Sequence, residues 1–181
     1  MNIPNILTIF RILLVPVFII FVIQNNLSMA LVIFILAGIT DGLDGFIARI
    51  LGHRTVIGAY LDPIADKFLL ISAYLSLTIK GMLPGWLSVV VVSRDIIILS
   101  GVVILSVMDK RPAIRPSILS KITTVFQITT IVLVLFYAAS QNAYFNLLIA
   151  ITAGLTILSG LAYIYNGVRI MGESHWENPP L

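Results

Sequence analysis

Six long apolar runs, separated by short polar segments, organise the sequence. The hydrocarbon core of a bilayer is ~30 Å thick and needs about 20 apolar residues per helix, so each run can form a transmembrane helix. Gly, Pro, Asn and Asp residues, which interrupt regular structure, stand at the breaks between the runs. The pattern therefore predicts an all-α, polytopic membrane protein. The six predicted spans are Ile6–Ile23, Ser28–Ile50, Ala59–Ile79, Leu83–Val107, Ile118–Ala138 and Tyr144–Val168.

The composition supports this fold class and excludes several others. Hydrophobic residues make up 59% of the 181 positions and charged residues 10%, whereas soluble domains carry about 45–50% and about 25%. A soluble domain of this composition would have too little polar surface to cover its core. The formal net charge of +3 gives no reason to expect a nucleic-acid partner. The chain has no cysteine and two histidines, which excludes disulfides, thiolate metal sites and a zinc cluster.

The basic residues are distributed unevenly between the two ends of the predicted spans. With six spans, nine of the eleven Lys and Arg residues fall on the side that holds both termini, whereas Lys80 falls on the other side and Arg94 lies within a span. Cytoplasmic loops are enriched in Lys and Arg, so we expect a protein of the cytoplasmic (inner) membrane with both termini in the cytoplasm. We expect one domain over residues 1–171 and a short polar tail over residues 172–181.

Four of the eight acidic residues lie close together, at the cytoplasmic ends of the second and third predicted helices. Asp41 and Asp44 are three positions apart and Asp62 and Asp66 are four apart, so each pair shares a helix face. Because the short loop makes the two helices antiparallel neighbours, all four carboxylates can point into one cleft. Clustered carboxylates repel one another and are costly in a membrane, so the cluster predicts bound cations. All-oxygen ligands suit Mg²⁺, Mn²⁺ or Ca²⁺, and a two-metal site serves phosphoryl displacement.

Small residues and an arginine accompany the carboxylates. Gly45, Ala48 and Gly58 leave room for a bulky ligand, and the Arg49 guanidinium suits a phosphate oxygen. These residues favour a site for a polyphosphate ligand at the membrane surface. Two other interpretations remain open on the residues alone. One is a helix hairpin with packing glycines and Asp–Arg ion pairs, and the other is the ion or proton pathway of a small ion-coupled transporter.

The spacing of these residues resembles the motif of the CDP-alcohol phosphatidyltransferase family. All eight fixed positions of that motif are filled at the expected spacing over 26 residues, which makes the match specific. The six-helix plan is also similar, so the resemblance covers most of the chain. The matching positions are Asp41, Asp44, Gly45, Ala48, Arg49, Gly58, Asp62 and Asp66.

The resemblance implies transfer of the phosphatidyl group of CDP-diacylglycerol to an alcohol, with release of CMP. It implies two divalent cations, Mg²⁺ or Mn²⁺, and it makes Asp66 the catalytic base on the acceptor hydroxyl as well as a metal ligand. It also implies a CDP site with Arg49 near the pyrophosphate, and a homodimer among membrane lipids. The implied metal ligands are Asp41, Asp44, Asp62 and Asp66, and the implied CDP-binding residues are Gly45, Ala48, Arg49 and Gly58.

Two acceptors fit the resemblance. The predicted activity is that of a phosphatidylglycerophosphate synthase with glycerol-3-phosphate as acceptor, because this is the commoner prokaryotic member of the family at this size. The alternative is a CMP-forming cardiolipin synthase with phosphatidylglycerol as acceptor, which the segments 92–95 and 115–121 resemble more closely. Ser120 and Thr123 stand where many phosphatidylglycerophosphate synthases have glycine and lysine. A catalytically silent homologue that acts as an assembly partner is a further alternative.

Six further residues are candidates for the acceptor site. Arg94 and Asp95 lie near the middle of the fourth span; adjacent helix positions point about 100° apart, so the two need not pair with each other. A buried structural ion pair with another helix is the alternative for both. The six candidates are Arg94, Asp95, Arg111, Arg115, Lys121 and Thr124.

The remaining candidates lie at the start of the fifth span and before it. Lys121, Thr124 and Gln127 are expected to line one side of the fifth helix, where interhelical hydrogen bonding is the alternative. For Arg111 and Arg115, which precede that helix, the alternative is ordinary loop charge of the cytoplasmic side.

Overall fold

The computed structural model describes the backbone of residues 3–51, 56–107, 118–137 and 143–173, and the side chains of residues 8–42, 67–101, 118–137 and 144–169. Those stretches contain six α-helices and no β-strand, which confirms the predicted all-α class. Each helix begins and ends within a few residues of one predicted run. Most of the predicted tail lies outside the described residues. The helices are α1 (Ile3–Ile23), α2 (Leu27–Leu51), α3 (Val56–Ile79), α4 (Gly85–Val107), α5 (Ile118–Tyr137) and α6 (Ala143–Glu173).

Two asparagines form the turn between α1 and α2. Asn25 adopts a left-handed backbone conformation (φ 59°), which asparagine tolerates better than most residues, and this ends α1. Asn26 caps α2, because its Oδ1 accepts a hydrogen bond from the Met29 amide (3.2 Å). After the end of α3, Lys80 Nζ donates to the Ile23 carbonyl oxygen (2.7 Å) and to Asn25 Oδ1 (2.9 Å). This lysine therefore fixes the α1–α2 turn to the end of α3.

A glycine ends α3. Gly81 has a φ of +71°, a conformation that only glycine adopts without steric cost. The Gly81 amide donates to the Thr78 carbonyl oxygen and the Met82 amide donates to the Leu77 carbonyl oxygen, each at 2.9 Å. These two bonds satisfy carbonyls of the last turn in the pattern of a Schellman cap.

Gly81→Ala should lower the free energy of unfolding by about 1–2 kcal/mol, because a Cβ is unfavourable in left-handed backbone. Gly38→Ala is the matched control, since Gly38 lies in α2 and a Cβ there would meet no heavy atom within 4 Å. The same change at that position should stabilise the protein by about 0.5–1 kcal/mol through helix propensity. Thermal unfolding of both variants in detergent, followed by circular dichroism, checks the opposite signs. Equal shifts would contradict the role of Gly81 as a cap.

The chain divides into two compact units, and the first comprises residues 1–88 and 131–141. In this unit α1 packs against both α2 and α3. Phe18 of α1 and Phe34 of α2 meet with ring centroids 5.8 Å apart. The buried apolar side chains of these three helices include Val15, Phe18, Val22, Ala30, Ala37, Ala73 and Leu77.

The second unit, residues 89–130 and 142–181, has polar side chains buried between α5 and α6. Gln127 Nε2 donates to Thr156 Oγ1 (3.2 Å), and the hydroxyls of Thr130 and Thr152 lie 2.9 Å apart. Thr123 Oγ1 reaches a carbonyl oxygen of α6 (3.2 Å). We name this group, Thr123, Gln127, Thr130, Thr152 and Thr156, the α5–α6 polar seam.

Threonines of the polar seam also bond within their own helices. Three of them donate to the carbonyl oxygen four residues earlier, which is a common arrangement for threonine in apolar helices. These bonds run from Thr123 to Leu119 (2.8 Å), from Thr130 to Phe126 (2.8 Å) and from Thr156 to Thr152 (2.6 Å). The hydroxyls are therefore satisfied both within a helix and across the seam.

Two helical stretches, Ile118–Tyr137 and Tyr144–Arg169, are long and apolar enough to cross a membrane. The apolar stretches of the first three helices are shorter: Thr8–Ile23, Leu27–Gly42 and Lys67–Ile79. These lengths refer to the described side chains, which leave out residues 43–66. The described part of the chain thus supports two spans, and the count of six stays a prediction.

Candidate functional site

The four clustered aspartates lie in the halves of α2 and α3 that adjoin the segment between those helices. Asp41 and Asp44 belong to α2, and Asp62 and Asp66 belong to α3. Positions three or four apart in a helix lie on one side of it, so each pair occupies one helix face. The side chain of Asp41 is described, whereas the side chains of Asp44, Asp62 and Asp66 lie outside the described residues.

Asp41 forms an ion pair with Arg11 of α1. The Arg11 Nη1 lies 2.6 Å from Asp41 Oδ1. The Arg11 side chain is fully buried, whereas 42% of the Asp41 side chain is exposed. A buried cation depends on an adjacent anion, because removal of either partner leaves an uncompensated charge. The pair therefore fixes the Asp41 carboxylate from the side of α1 and leaves it partly accessible to a ligand.

The residues predicted to line a CDP site lie in the same two helices. Gly45, Ala48 and Arg49 belong to α2 and Gly58 to α3, and their side chains are outside the described residues. Among the described side chains, no group of three or more His, Cys, Asp or Glu residues could hold a metal ion, because Asp41 alone of the four aspartates is among them. The predicted ligand set and CDP site stay predictions.

The chemistry of the donors fits hard divalent cations. Carboxylates supply oxygen ligands, which Mg²⁺ and Mn²⁺ prefer, and the chain has no cysteine that would favour a softer metal. Asp41 is held by an arginine and remains partly exposed, so its carboxylate can contribute an oxygen. The other three aspartates are placed by their helices alone.

Arg94 and Asp95 of α4 lie in the interior of the second unit. Their side chains are 3% and 0% exposed, and Arg94 Nη1 lies 2.7 Å from Asp95 Oδ1. Arg94 Nη2 also donates to Ser120 Oγ of α5 and to Ser159 Oγ of α6 (3.0 Å). The neighbours pair although their positions diverge on the helix, because the arginine side chain is long enough to fold back. One guanidinium thus connects three helices.

Lys121, Thr124 and Gln127 do not line one side of α5. Lys121 is exposed, whereas Thr124 is half-buried and donates to the Ser120 carbonyl oxygen (3.1 Å). Gln127 is fully buried in the polar seam. The expectation of a shared side is wrong, because Gln127 lies about 120° around the helix axis from Lys121. Six positions at about 100° each turn the helix by about 600°, which is two full turns less about 120°.

The acceptor role of the six candidate residues stays a prediction. Arg111 and Arg115 lie outside the described residues. Lys121 is placed where a ligand can reach it, whereas the guanidinium of Arg94 already bonds to Asp95 and to hydroxyls of two other helices. For Gln127, the interhelical hydrogen bond that was the alternative is the one the structure contains.

The sequence patterns did not identify Arg11 as part of the site. The sequence places Arg11 among the basic residues of the cytoplasmic side and at the end of the opening segment 2–11, which resembles that of both synthase groups, without assigning it a role. The available signal was its isolation, since Arg11 is the one charged residue in the sequence of α1. A charged side chain in an apolar helix indicates a charged partner, although the sequence does not say which of the aspartates it is.

Comparison with known proteins assigns the chain to a family. The family model described as CDP-alcohol phosphatidyltransferase matches residues 1–158. That range includes the four aspartates of the cluster and the helix that carries Arg11. The matched range therefore contains the ion pair and every residue of the predicted CDP site.

Curated relatives are similar along most of the chain. Human cardiolipin synthase (CMP-forming) is 32% identical over 185 residues, which cover 92% of this chain and 62% of that protein. The probable phosphatidylglycerophosphate synthase of Mycobacterium tuberculosis is 34% identical over 179 residues, which cover 94% of this chain and 84% of that protein. The CDP-diacylglycerol--glycerol-3-phosphate 3-phosphatidyltransferase of Wigglesworthia glossinidia brevipalpis is 36% identical over 176 residues, which cover 91% of this chain and 94% of that protein. The chain spans less than two thirds of the human protein and of its rat counterpart, which is covered over 61%.

Proposed function

This chain belongs to the CDP-alcohol phosphatidyltransferase family, and from that membership we propose that it transfers the phosphatidyl group of CDP-diacylglycerol to an alcohol and releases CMP. The observation that carries the proposal is the complete set of eight motif positions inside the matched residues 1–158. The partly exposed Asp41 carboxylate, held by Arg11, supports it from the side of the structure.

We propose glycerol-3-phosphate as the acceptor, which makes the protein a phosphatidylglycerophosphate synthase. The relative whose name specifies glycerol-3-phosphate is matched over 94% of its own length, whereas the human cardiolipin synthase is matched over 62%. Phosphatidylglycerol, the acceptor of a CMP-forming cardiolipin synthase, is the second candidate, because that human relative is similar over 92% of this chain.

The proposed site uses the four aspartates to hold two divalent cations, Mg²⁺ or Mn²⁺. Cations held there would supply positive charge that neutralises the pyrophosphate and makes CMP a better leaving group. Gly45, Ala48 and Gly58 leave space for the cytidine diphosphate, and Arg49 binds a pyrophosphate oxygen. Asp66 accepts the proton of the acceptor hydroxyl. The acceptor oxygen then bonds to the phosphorus of the phosphatidyl group as the bond from that phosphorus to the CMP oxygen breaks.

The proposed acceptor site lies in the segment that joins α4 to α5 and in the start of α5. Arg111, Arg115 and Lys121 supply positive charge for an acceptor phosphate, and Thr124 supplies a hydroxyl. Arg94 and Asp95 support the proposed acceptor site through the buried contacts of Arg94 with α5 and α6.

The family is membrane-associated, and two stretches of the chain are long and apolar enough to cross a bilayer. We propose that all six helices span the inner membrane as one domain over residues 1–171, with both termini and the site at the cytoplasmic face. The Lys and Arg bias supports this orientation, since nine of the eleven lie on that side of a six-span arrangement. We further propose a homodimer, as the family resemblance suggests.

A CMP-release assay in mixed micelles tests the proposed function. CDP-diacylglycerol is supplied with Mg²⁺ or Mn²⁺, and glycerol-3-phosphate and phosphatidylglycerol are offered in separate reactions. CMP release with glycerol-3-phosphate alone is the expected result, and release with phosphatidylglycerol alone would establish the cardiolipin synthase activity instead. Folded protein that releases no CMP with either acceptor and either metal would contradict both synthase activities. An ion flux that needs no nucleotide would then establish the alternative of a small ion-coupled transporter.

A further inference from the structure

Arg11 is a fully buried guanidinium in α1, a helix whose other residues are uncharged. The proposed reaction does not use it. We propose that Arg11 is a positioning residue, which holds the Asp41 carboxylate in the orientation that binds a divalent cation. The inference rests on the proposed function, because it takes Asp41 as one of the metal ligands.

Burial gives the first reason to connect Arg11 with the site. Placing a guanidinium where none of its side chain is exposed is unfavourable unless an anion lies beside it. One anion beside the Arg11 guanidinium is Asp41 of α2, with 2.6 Å between Nη1 and Oδ1. A helix that served only as apolar packing would need no such charge, so this charge is tied to a carboxylate of the cluster.

The geometry of the pair is compatible with metal ligation. The guanidinium contacts Oδ1, which is one of the two oxygens of the carboxylate. The Asp41 side chain remains 42% exposed, which leaves a route for a cation. The short charged contact of Arg11 with Oδ1 therefore restrains the carboxylate while leaving it accessible.

Charge and position act in opposite directions at this site. Removal of the Arg11 charge makes the carboxylate cluster more negative, which by itself attracts a divalent cation more strongly. Loss of the restraint on Asp41 weakens binding, since mutation of partners that orient a metal ligand typically lowers metal affinity by about 10–100-fold. Arg11→Lys separates the two effects, because it keeps the positive charge and changes the position and shape of the group that carries it.

The experiment measures Mn²⁺ binding to the purified full-length protein in detergent, by titration followed with electron paramagnetic resonance. Arg11→Lys is expected to weaken Mn²⁺ binding about 10-fold or more. Lys80→Met is the matched control, because the Lys80 ammonium also holds α1, through hydrogen bonds to oxygens at and just after the C-terminal end of that helix. The control is expected to lower the unfolding temperature while Mn²⁺ affinity stays at the wild-type value.

A double-mutant cycle shows whether Arg11 acts through Asp41. In the Asp41→Asn background, Arg11→Lys is expected to cause no further loss of Mn²⁺ affinity, because the carboxylate that it orients is gone. Equal losses in both backgrounds would overturn the proposal. Arg11→Met provides a variant that removes the charge without placing a new polar group in the apolar interior.

Several outcomes separate this inference from the proposed function. Wild-type Mn²⁺ affinity in folded Arg11→Lys would overturn the positioning role and leave the CMP-release activity untouched. Tighter Mn²⁺ binding by Arg11→Met would overturn it as well, since Arg11 would then be a competing countercharge. If the wild-type protein binds Mn²⁺ but releases no CMP, the proposed function fails while the cycle still decides the role of Arg11. A wild-type protein that binds no Mn²⁺ contradicts both.

Discussion

Asp66→Asn is expected to abolish CMP release while the protein remains folded. Asparagine keeps the shape of the side chain but removes both the negative charge that ligates a cation and the base that accepts the acceptor proton. A positioned general base contributes about 10²–10⁴-fold to rate, and the lost metal ligand adds to this. We therefore expect a fall of at least about 100-fold in the initial rate of CMP release from CDP-diacylglycerol.

The matched control for this variant is Glu173→Gln. Glu173 is the last residue of α6 and belongs to no motif position, so the same loss of a carboxylate charge should leave CMP release near the wild-type rate. Circular dichroism and gel filtration of both variants establish that they fold. Near-wild-type activity in Asp66→Asn would contradict its proposed role as base and ligand.

Arg94→Met is expected to destabilise the protein by about 3–5 kcal/mol, the cost of breaking a buried ion pair by removal of one partner. The change removes the arginine beside the buried Asp95 carboxylate and ends the hydrogen bonds to Ser120 and Ser159. Asp95→Asn should cost a similar amount, because the buried Arg94 charge then keeps only neutral partners. The double variant Arg94→Met/Asp95→Leu should cost less than the sum, since neither charge is left behind.

Unfolding in mixed detergent micelles with increasing sodium dodecyl sulfate measures these differences. Arg169→Met is the matched control, because Arg169 is an exposed cation of α6 and exposed charged contacts contribute at most about 1 kcal/mol to stability. An Arg94→Met protein that is as stable as wild type, but needs much more acceptor to reach half its maximal rate, would identify Arg94 as an acceptor ligand instead of a connection between helices.

The positions of the helices were predictable from the sequence, because the same residues create the hydrophobic pattern and end the helices. Asn25 and Asn26 interrupt the first two apolar runs, and they also supply the left-handed turn and the cap of α2. Gly81 does the same between α3 and α4, where its left-handed conformation ends α3. In these cases a local pattern is sufficient, since each interaction joins residues near in sequence or depends on the chain conformation at one residue.

The partners of the buried charges were not predictable in the same way. Arg11 and Asp41 are thirty positions apart, and their contact depends on how α1 packs on α2, which hydrophobic periodicity does not fix. The Arg94–Asp95 pair depends on the conformation of the arginine side chain. Adjacent positions of a helix point about 100° apart, so the positions of the two residues do not by themselves predict the pair. Gln127 was placed beside Lys121 by counting positions, although the helical turn carries it into the interior. The motif, by contrast, identified the aspartate positions because their spacing is specific.

The threonines of the α5–α6 polar seam have a consequence for how this pair of helices enters the bilayer. Thr123, Thr130 and Thr156 donate to carbonyl oxygens of their own helices, so these three hydroxyls need no acceptor on the other helix when they enter the lipid. Gln127 and Thr152 differ, because their bonds cross the seam to Thr156 and Thr130. The three threonines are thus inexpensive to insert, whereas Gln127 and Thr152 favour the meeting of the two helices.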